Sequence, residues 1–517
     1  MKLLCVKDHP ECPGGNVVYQ SAVRQLKHIH ERNLTMKKSS IYPNRSQELL
    51  SLFEKVGNLS KLMCVPIDYA KKDHLVMFCD GHGEVLRKPF SVNNSVDGVK
   101  YLLNQVNRSC RHRHIPSGHV FFGGEDVNSY AENFANTIRA NGWLVANVNA
   151  HDAKKQRENL QASTDRLDLM GIATMLLNRR ATCCPAQTGV YRNLRTLVRH
   201  RKKLVKMKTE VRNRIHTIVD RLFPGFLNEK KSGILPFSNS SLYLMQERFS
   251  APQIRRRQRG ALVRNLEKRG TKKAEQIAAT LQGYASEVLT TPGEYTATLQ
   301  VSLASHVTHY RCLYDGAQQL VNEMAQLLAQ TQGAFLTSIK GIGIVLASGV
   351  TAEIGDAMAQ RSTDQLASYA GIIPKVKQTG GSQGPSLTGH VSKRSNHILK
   401  DFVVQSAFHI GRYGPKDLKD DFSRREAAGQ HATFGIARRF VRMAMCMMRT
   451  SQVYLPPDMR STHLKPELRA EYYLAMWPYL RDKWSKAGAL NVAFAKDKPL
   501  GQWRYIVQDI YGIPLKM

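Results

Sequence analysis

Four acidic residues stand where they could act on a phosphodiester: Asp68, Glu125, Asp165 and Asp168. Asp68 closes the apolar run Val65-Pro66-Ile67-Asp68, which reads as a strand, and Glu125 follows directly on a second, His119 to Gly124. Asp165 and Asp168, in Thr164-Asp165-Arg166-Leu167-Asp168, are three apart on a predicted helix and so face the same way. Carboxylates gathered at strand ends and one helix repel each other unless a cation stands among them, and hard oxygen ligands suit Mg2+ or Mn2+. Two such ions can clamp the attacking and leaving oxygens of a phosphodiester. Taken singly, Asp165 has the plainer reading of a helix cap and Glu125 that of a surface residue; the joint placement favours a metal centre.

The elements that must position these acids follow from the pattern around them. Lys61 to Asp68, His74 to Cys79 and Glu84 to Phe90 read as strands, with Asp80-Gly81-His82-Gly83 as the turn between the last two. Asn94 or Ser95 caps a helix to about Val106; then come a strand at His119 to Gly124, a helix at Val127 to Ala140 and a strand at Trp143 to Val148. That order predicts a ribonuclease-H-like mixed sheet covered by helices. From Arg192 the period becomes helical, with Leu194, Leu197, Leu204, Val211, Ile215, Ile218 and Leu222 in one stripe and Pro224-Gly225 as the stop. The other faces carry Arg199, Lys202, Lys203, Arg212 and Arg214, read either as a solvated face of a coiled coil or as contacts to a phosphate backbone. Residues 226–333 are predicted helical, with a second basic run from Arg255 to Lys273. Ile339-Lys340-Gly341-Ile342-Gly343 before an apolar helix has the form of a helix-hairpin-helix, in which Lys340 and the amides around Gly341 and Gly343 grip a phosphate. The tail from Pro456 holds three of the four tryptophans, as a small core or a partner surface.

The predicted class is therefore α/β plus α, in six stretches. These are an accessory segment (1–58), the carboxylate domain (59–185), a basic coiled coil (186–225), a helical connector (226–333), a hairpin-bearing domain (334–450) and a Trp/Tyr-rich tail (451–517). Composition narrows the partner. Seventy-five Lys and Arg against 41 Asp and Glu give a net charge of +34, which is tolerable beside a polyanion and makes nucleic acid the expected partner, with an anionic membrane surface as the alternative. No run of about 18 apolar residues occurs, so no membrane partner is expected. Nine cysteines without regular spacing suggest a reducing, cytoplasmic compartment. Cys5, His9 and Cys12 match no common zinc spacing.

Several segments in one order resemble the DEDD transposases of the IS-one-ten type, the Piv/MooV-like family, across about residues 62 to 450. They are Pro66-Ile67-Asp68-Tyr69-Ala70-Lys71-Lys72, Glu125-Asp126-Val127-Asn128-Ser129-Tyr130, Thr164-Asp165-Arg166-Leu167-Asp168 and Arg212-Asn213-Arg214-Ile215-His216. Ile339 to Gly343, Tyr369-Ala370-Gly371-Ile372-Ile373-Pro374 and Ser392-Lys393-Arg394-Ser395-Asn396 complete the series. The resemblance implies a RuvC-like metal domain, a coiled coil and a second domain supplying a hydroxyl nucleophile, with Lys393 and Arg394 on the DNA backbone. It also implies homodimers or homotetramers, and in some relatives a non-coding guide RNA that pairs with donor and target DNA. The nucleophilic serine of the family lies five residues after the proline of the Ala-Gly-x-x-Pro segment; counting from Pro374, that position holds Thr379. Threonine keeps the hydroxyl but adds a methyl that narrows approach, and Ser382 lies three residues on in a Gly-rich stretch. Two other readings stay open: a metal-dependent nuclease or resolvase using water, and a transposase-derived nucleic-acid-binding protein without catalysis.

Overall fold

Burial along the strands shows which ones sit in the middle of the sheet. Met63–Asp68 (β1) and Val120–Glu125 (β4) are buried almost throughout, whereas Val85–Asn93 (β3) is mostly exposed or half-buried, as expected of central and edge strands. The computed structural model describes residues 46–125, 130–149, 165–182, 189–247, 249–290, 293–355, 362–378, 386–391, 395–461 and 464–516. These fall into two compact units, Met1–Pro185 and Ala186–Met517.

In the first unit a six-stranded mixed sheet has the order β3-β2-β1-β4-β5-β6, with β2 at Asp73–Asp80, β5 at Leu144–Val148 and β6 at Ala181–Thr182. β1, β4 and β5 are parallel; β2, β3 and β6 run antiparallel to their neighbours. The expected succession of three strands, helix, strand, helix, strand is present. Its helices are Val96–Arg113 (α2), capped by Ser95, and Ala131–Ala140 (α3). Both cover one face, where Val65, Ile67 and Phe122 meet Leu102, Val106, Phe134 and Ile138. The opposite face packs Cys64, Phe121 and Ala146 against two helices, Gln47–Val56 (α1) and Asp165–Leu177 (α4). Residues 1–58 are thus not purely accessory, because Leu49 and Phe53 of α1 are core residues of this unit. β6 was not anticipated: two residues are too short to show a period.

In the second unit the basic stripe forms one helix, Gly189–Leu222 (α5, 34 residues). Its partner is Gly293–Leu328 (α11), from the stretch read only as a connector. The pair is antiparallel. Leu194 and Val198 share a core with Met324 and Leu328, while Val219 and Leu222 share another with Leu303 and Val307. Five short helices (α6–α10: Glu229–Ser232, Asn239–Gln246, Ala251–Arg256, Arg259–Glu267 and Ala274–Glu287) close the far end around Phe223, Phe226 and Phe249. The near end carries Ile344–Ile354 (α12), Thr363–Tyr369 (α13), strands Pro374–Gln378 (β7) and Ser386–Val391 (β8), and helices His397–Tyr413 (α14), Lys416–Ala427 (α15) and Ala432–Thr450 (α16). The expected tail is not a separate piece: Pro466–Lys486 (α17), Leu490–Ala493 (α18) and Pro499–Tyr511 (α19) bury Trp477, Trp484 and Trp503 in the same core as Phe335, Ile339 and Phe440. Of its two readings, a core or a partner surface, the rings take the first.

Candidate metal centre and nucleic-acid interface

Asp68 and Glu125 are brought side by side. In the parallel pairing of β1 with β4, Asp68 is the direct partner of Glu125 at the carboxyl ends of both strands. Such partners lie about 4.8 Å apart and point to the same face. Alternation assigns that face: Cys64 and Phe121, an even number of residues before them, pack on the side covered by α4. Glu125 is 8% exposed and Asp68 half-buried. Two carboxylates so close, one of them buried, form a pair between which a cation would be favourable. The turn after Asp68 is held by His74, whose Nδ1 accepts the Ala70 amide at 3.1 Å. Its ring stands edge-on to Phe134 at 4.3 Å, and burial lowers its pKa, which keeps the ring neutral at pH 7. Sequence reading passed His74 over as an ordinary strand residue.

Two glycines set how closely the cover approaches. A Cβ on Gly123 would lie 2.4 Å from Leu176 of α4, and one on Gly124 would lie 2.5 Å from the Tyr69 ring on the other face. Leu177, next along α4, reaches to 3.7 Å from a Cβ at Gly83, in the turn beside the amino end of β1. Hence α4 runs antiparallel to β1, and its first turn, with Asp165 and Asp168, lies toward the strand ends that carry Asp68 and Glu125. The Asp165 side chain lies outside the described residues; Asp168 is half-buried. Among the described residues no three His, Cys, Asp or Glu are gathered closely enough to hold a metal. The hard oxygen donors of the adjacent pair are of the kind that suits Mg2+ or Mn2+.

In the second unit the glycine hairpin is present, but it follows a 3-10 stretch, Gln332–Ser338, rather than an α-helix. Gly341 takes φ +89°, and a Cβ there would meet the His409 carbonyl at 2.8 Å, so glycine is required on both counts. Lys340 is exposed, Gly341 and Gly343 are half-buried, and Gly343 caps α12 with no side-chain acceptor. The first amides of that helix have no partner within it. Beneath the hairpin lies Lys483 of α17, whose ammonium donates to the carbonyls of Thr337 at 2.6 Å and Ile342 at 2.7 Å, and to the Tyr479 hydroxyl. Burial pushes its pKa down to about 7, against the pull of those oxygens. The sequence reading did not place Lys483 here, because nothing local links residue 483 to residue 342.

The basic helix divides into two populations, cations paired with acids of the same unit and cations without such a pair among the described residues. Arg199 makes a two-point ion pair with Glu353 of α12, Nε to Oε1 at 2.8 Å and Nη2 to Oε2 at 3.1 Å. Glu353 also receives Arg195 at 3.2 Å and the Asn396 amide at 2.8 Å. Lys202 is paired with Asp401. Arg199 and Lys202 therefore brace the fold; Lys203, Arg212 and Arg214 remain exposed, with Arg212 over the Phe237 ring at 4.6 Å. A lone acid in the apolar run Ile344–Ile354 was the signal for this hub. Asn396 caps α14 by accepting the amides of Ile398 and Leu399, both at 3.1 Å. Thr379 and Ser382, between β7 and β8 in the sequence, and Lys393 and Arg394 lie outside the described residues.

Comparison with known proteins agrees with this layout. A family model of the DEDD IS110 type, described as a transposase, matches residues 65–224, and a second, described as a transposase of the IS116/IS110/IS902 family, matches 333–422. The chain is 24% identical to the insertion element IS110 uncharacterized 43.6 kDa protein of Streptomyces coelicolor, over 50% of this chain and 64% of the relative. It is 23% identical to the insertion element IS116 uncharacterized 44.8 kDa protein of Streptomyces clavuligerus, over 51% and 65%. The chain thus spans just under two thirds of the length of both relatives. A probable family 20 transposase of Pseudomonas aeruginosa is 33% identical over 20% of this chain and 32% of its own. Two models of the IS110/IS116/IS902 transposase family thus match the chain in order, and the IS110 and IS116 relatives support the same likeness to an IS110-type transposase.

Proposed function

We propose that the protein cuts and rejoins DNA strands, with divalent metal held by Asp68, Glu125, Asp165 and Asp168 and a hydroxyl nucleophile from Thr379 or Ser382. The observation that carries this reading is the pairing of Asp68 with Glu125 at the carboxyl ends of parallel strands, with α4 starting toward the same end. The mixed sheet and its order of helices support a RuvC-like, ribonuclease-H-like domain. When bound, Mg2+ or Mn2+ would supply Lewis-acid stabilisation of charge on a scissile phosphate. The chain's own residues do the rest. The carboxylates orient the scissile phosphate, and the backbone at Lys340, Gly341 and Gly343, with Lys393 and Arg394, holds phosphates of the DNA strand.

The hydroxyl attacks phosphorus, its proton passes to the departing strand oxygen, and a phosphoester to the protein forms. A second strand's hydroxyl then attacks that ester and frees the side chain, so no ATP is consumed. The same reading assigns a homodimer or homotetramer and a guide RNA as partners, the latter tested by sequencing RNA that co-purifies with the protein. The test of the chemistry is strand transfer with Mg2+ or Mn2+, followed by trapping of protein on a cleaved DNA end. Asp68→Asn and chelation by EDTA should each abolish joining, and Thr379→Ala or Ser382→Ala should abolish the trapped species. Undiminished joining by Asp68→Asn refutes the metal assignment; cleavage with nothing attached to the end identifies a hydrolytic nuclease instead.

A further inference from the structure

The second unit carries a charged surface that the proposed chemistry does not use. It lies at the far end of the α5–α11 pair, on Ala251–Arg256, Arg259–Glu267 and the loop up to Lys273. Residues 251–273 hold nine Lys and Arg against a single acid, Glu267. Ile254, Leu262 and Leu266 point into the core, which leaves Arg255, Arg256, Arg259, Arg264, Lys268, Lys272 and Lys273 exposed. None of these seven forms an ion pair among the described residues. Two further cations are built into the scaffold: Arg257 donates to the Glu247 carbonyl at 2.7 Å, and Arg269 donates to the Asn265 carbonyl while stacking on Tyr243. The exposed cations therefore ride on short, packed helices, where their mutual repulsion is uncompensated until a polyanion arrives.

The composition of the patch selects among polyanions. It holds no Phe, Tyr or Trp, so it lacks the rings on which single-stranded bases stack. None of its apolar residues is among the large exposed hydrophobics, so it has nothing to insert into a bilayer. What remains is recognition of a regular phosphate backbone. We propose that this tip is a second, sequence-independent docking surface for the backbone of duplex DNA, distant from the hairpin at the base of the same unit. From Leu194, in the core with the hairpin residues Ile339 and Ile342, to Leu222, in the tip core, is 28 residues of one helix, about 42 Å. A duplex following the arm covers that distance in about 12 base pairs at 3.4 Å each. The proposal rests on the reading of the chain as a DNA-acting transposase, and it concerns a segment between the two family-matched stretches.

The experiment is equilibrium binding and hydroxyl-radical footprinting of the full-length protein on a 40-base-pair duplex. The wild type is compared with the quadruple variant Arg255→Gln, Arg256→Gln, Arg259→Gln and Lys268→Gln, whose unchanged melting temperature verifies folding. Loss of four phosphate contacts should flatten the slope of log Kd against log salt by about 3 to 4 units and shorten the footprint on one side by about 12 base pairs. Affinity for a 12-base-pair duplex at the hairpin should be unchanged. Wild-type protection of duplex DNA with no change in the variant overturns the tip assignment and leaves the transposase reading intact. No wild-type protection at all overturns both. A variant that loses affinity for structured RNA but keeps its full duplex footprint also overturns the proposal.

Discussion

Replacing Glu353 by glutamine should be among the most damaging single changes in the second unit. The carboxylate is 2% exposed, and it accepts from Arg199 at two points, from Asn396 and from Arg195. Glutamine keeps the shape but turns one acceptor into a donor that faces a guanidinium, and it removes the charge that balances two arginines. Breaking a buried ion pair costs about 3–5 kcal/mol. Arg195 and Arg199 retain 30% and 42% side-chain exposure, so water recovers part of their solvation and the lower end, about 3 kcal/mol, is expected. Three of the four tryptophans, Trp477, Trp484 and Trp503, lie in the core shared with this hub, so urea unfolding followed by tryptophan fluorescence reads the effect directly. A double-mutant cycle with Arg199→Gln should show coupling above about 1 kcal/mol.

The pH dependence adds an independent sign. The arginine and asparagine contacts outweigh burial and hold the Glu353 carboxyl below its ordinary range. Its stabilisation is thus complete above the unfolded carboxylate value of about 4.3. It fades as pH falls through the lower folded value, so wild type and variant should converge in acid. A loss below about 0.5 kcal/mol, or coupling near zero, would refute the hub.

Gly123→Ala should push Leu176, and the neighbouring Ala146 carbonyl at 2.9 Å, away from the strand. A cost of about 1–3 kcal/mol in melting should accompany a larger fall in metal-dependent strand transfer, because α4 carries Asp165 and Asp168; adding Leu176→Ala should restore part of both. Lys483→Met should strand the carbonyls of Thr337 and Ile342 at a cost of about 1–3 kcal/mol each. The wild-type pKa of about 7 lies below that of a free lysine, so stability should rise as pH goes from about 7 toward 10.5. Lys483→Met should lack that slope in thermal melts, and an equal slope in both proteins would remove Lys483 as its source.

Much of the first unit was legible because its signals are local. Apolar runs, the turn at Asp80 to Gly83 and the Ser95 cap each act over a few residues, and they placed β1 to β5 and the start of α2 within a few positions of where they lie, although α2 runs on to Arg113 rather than stopping near Val106. The carboxylates at strand ends were readable for the same reason: a strand's termination is written beside the acid that follows it. Helical period likewise announced α5. What local pattern does not carry is partnership. The stripe on α5 is indifferent to whether its seam is filled by another chain or by α11, about a hundred residues later. Arg199 and Arg212 look alike on the helix surface, and only the buried Glu353 opposite one of them separates a half-exposed brace from an exposed cation. The tail showed the same limit, since Trp484 and Lys483 gain meaning only from Thr337 and Ile342.

Local pattern alone supplied the order of β1 to β5 with α2 and α3, the basic helix α5, the family-ordered segments and the residue types able to hold Mg2+ or bind a phosphate. Tertiary structure alone decided that Asp68 stands in register with Glu125, that α4 runs back along β1, and which basic residues face outward. Those outcomes depend on which distant segments bury each other's apolar surface, and that choice is made by the whole chain.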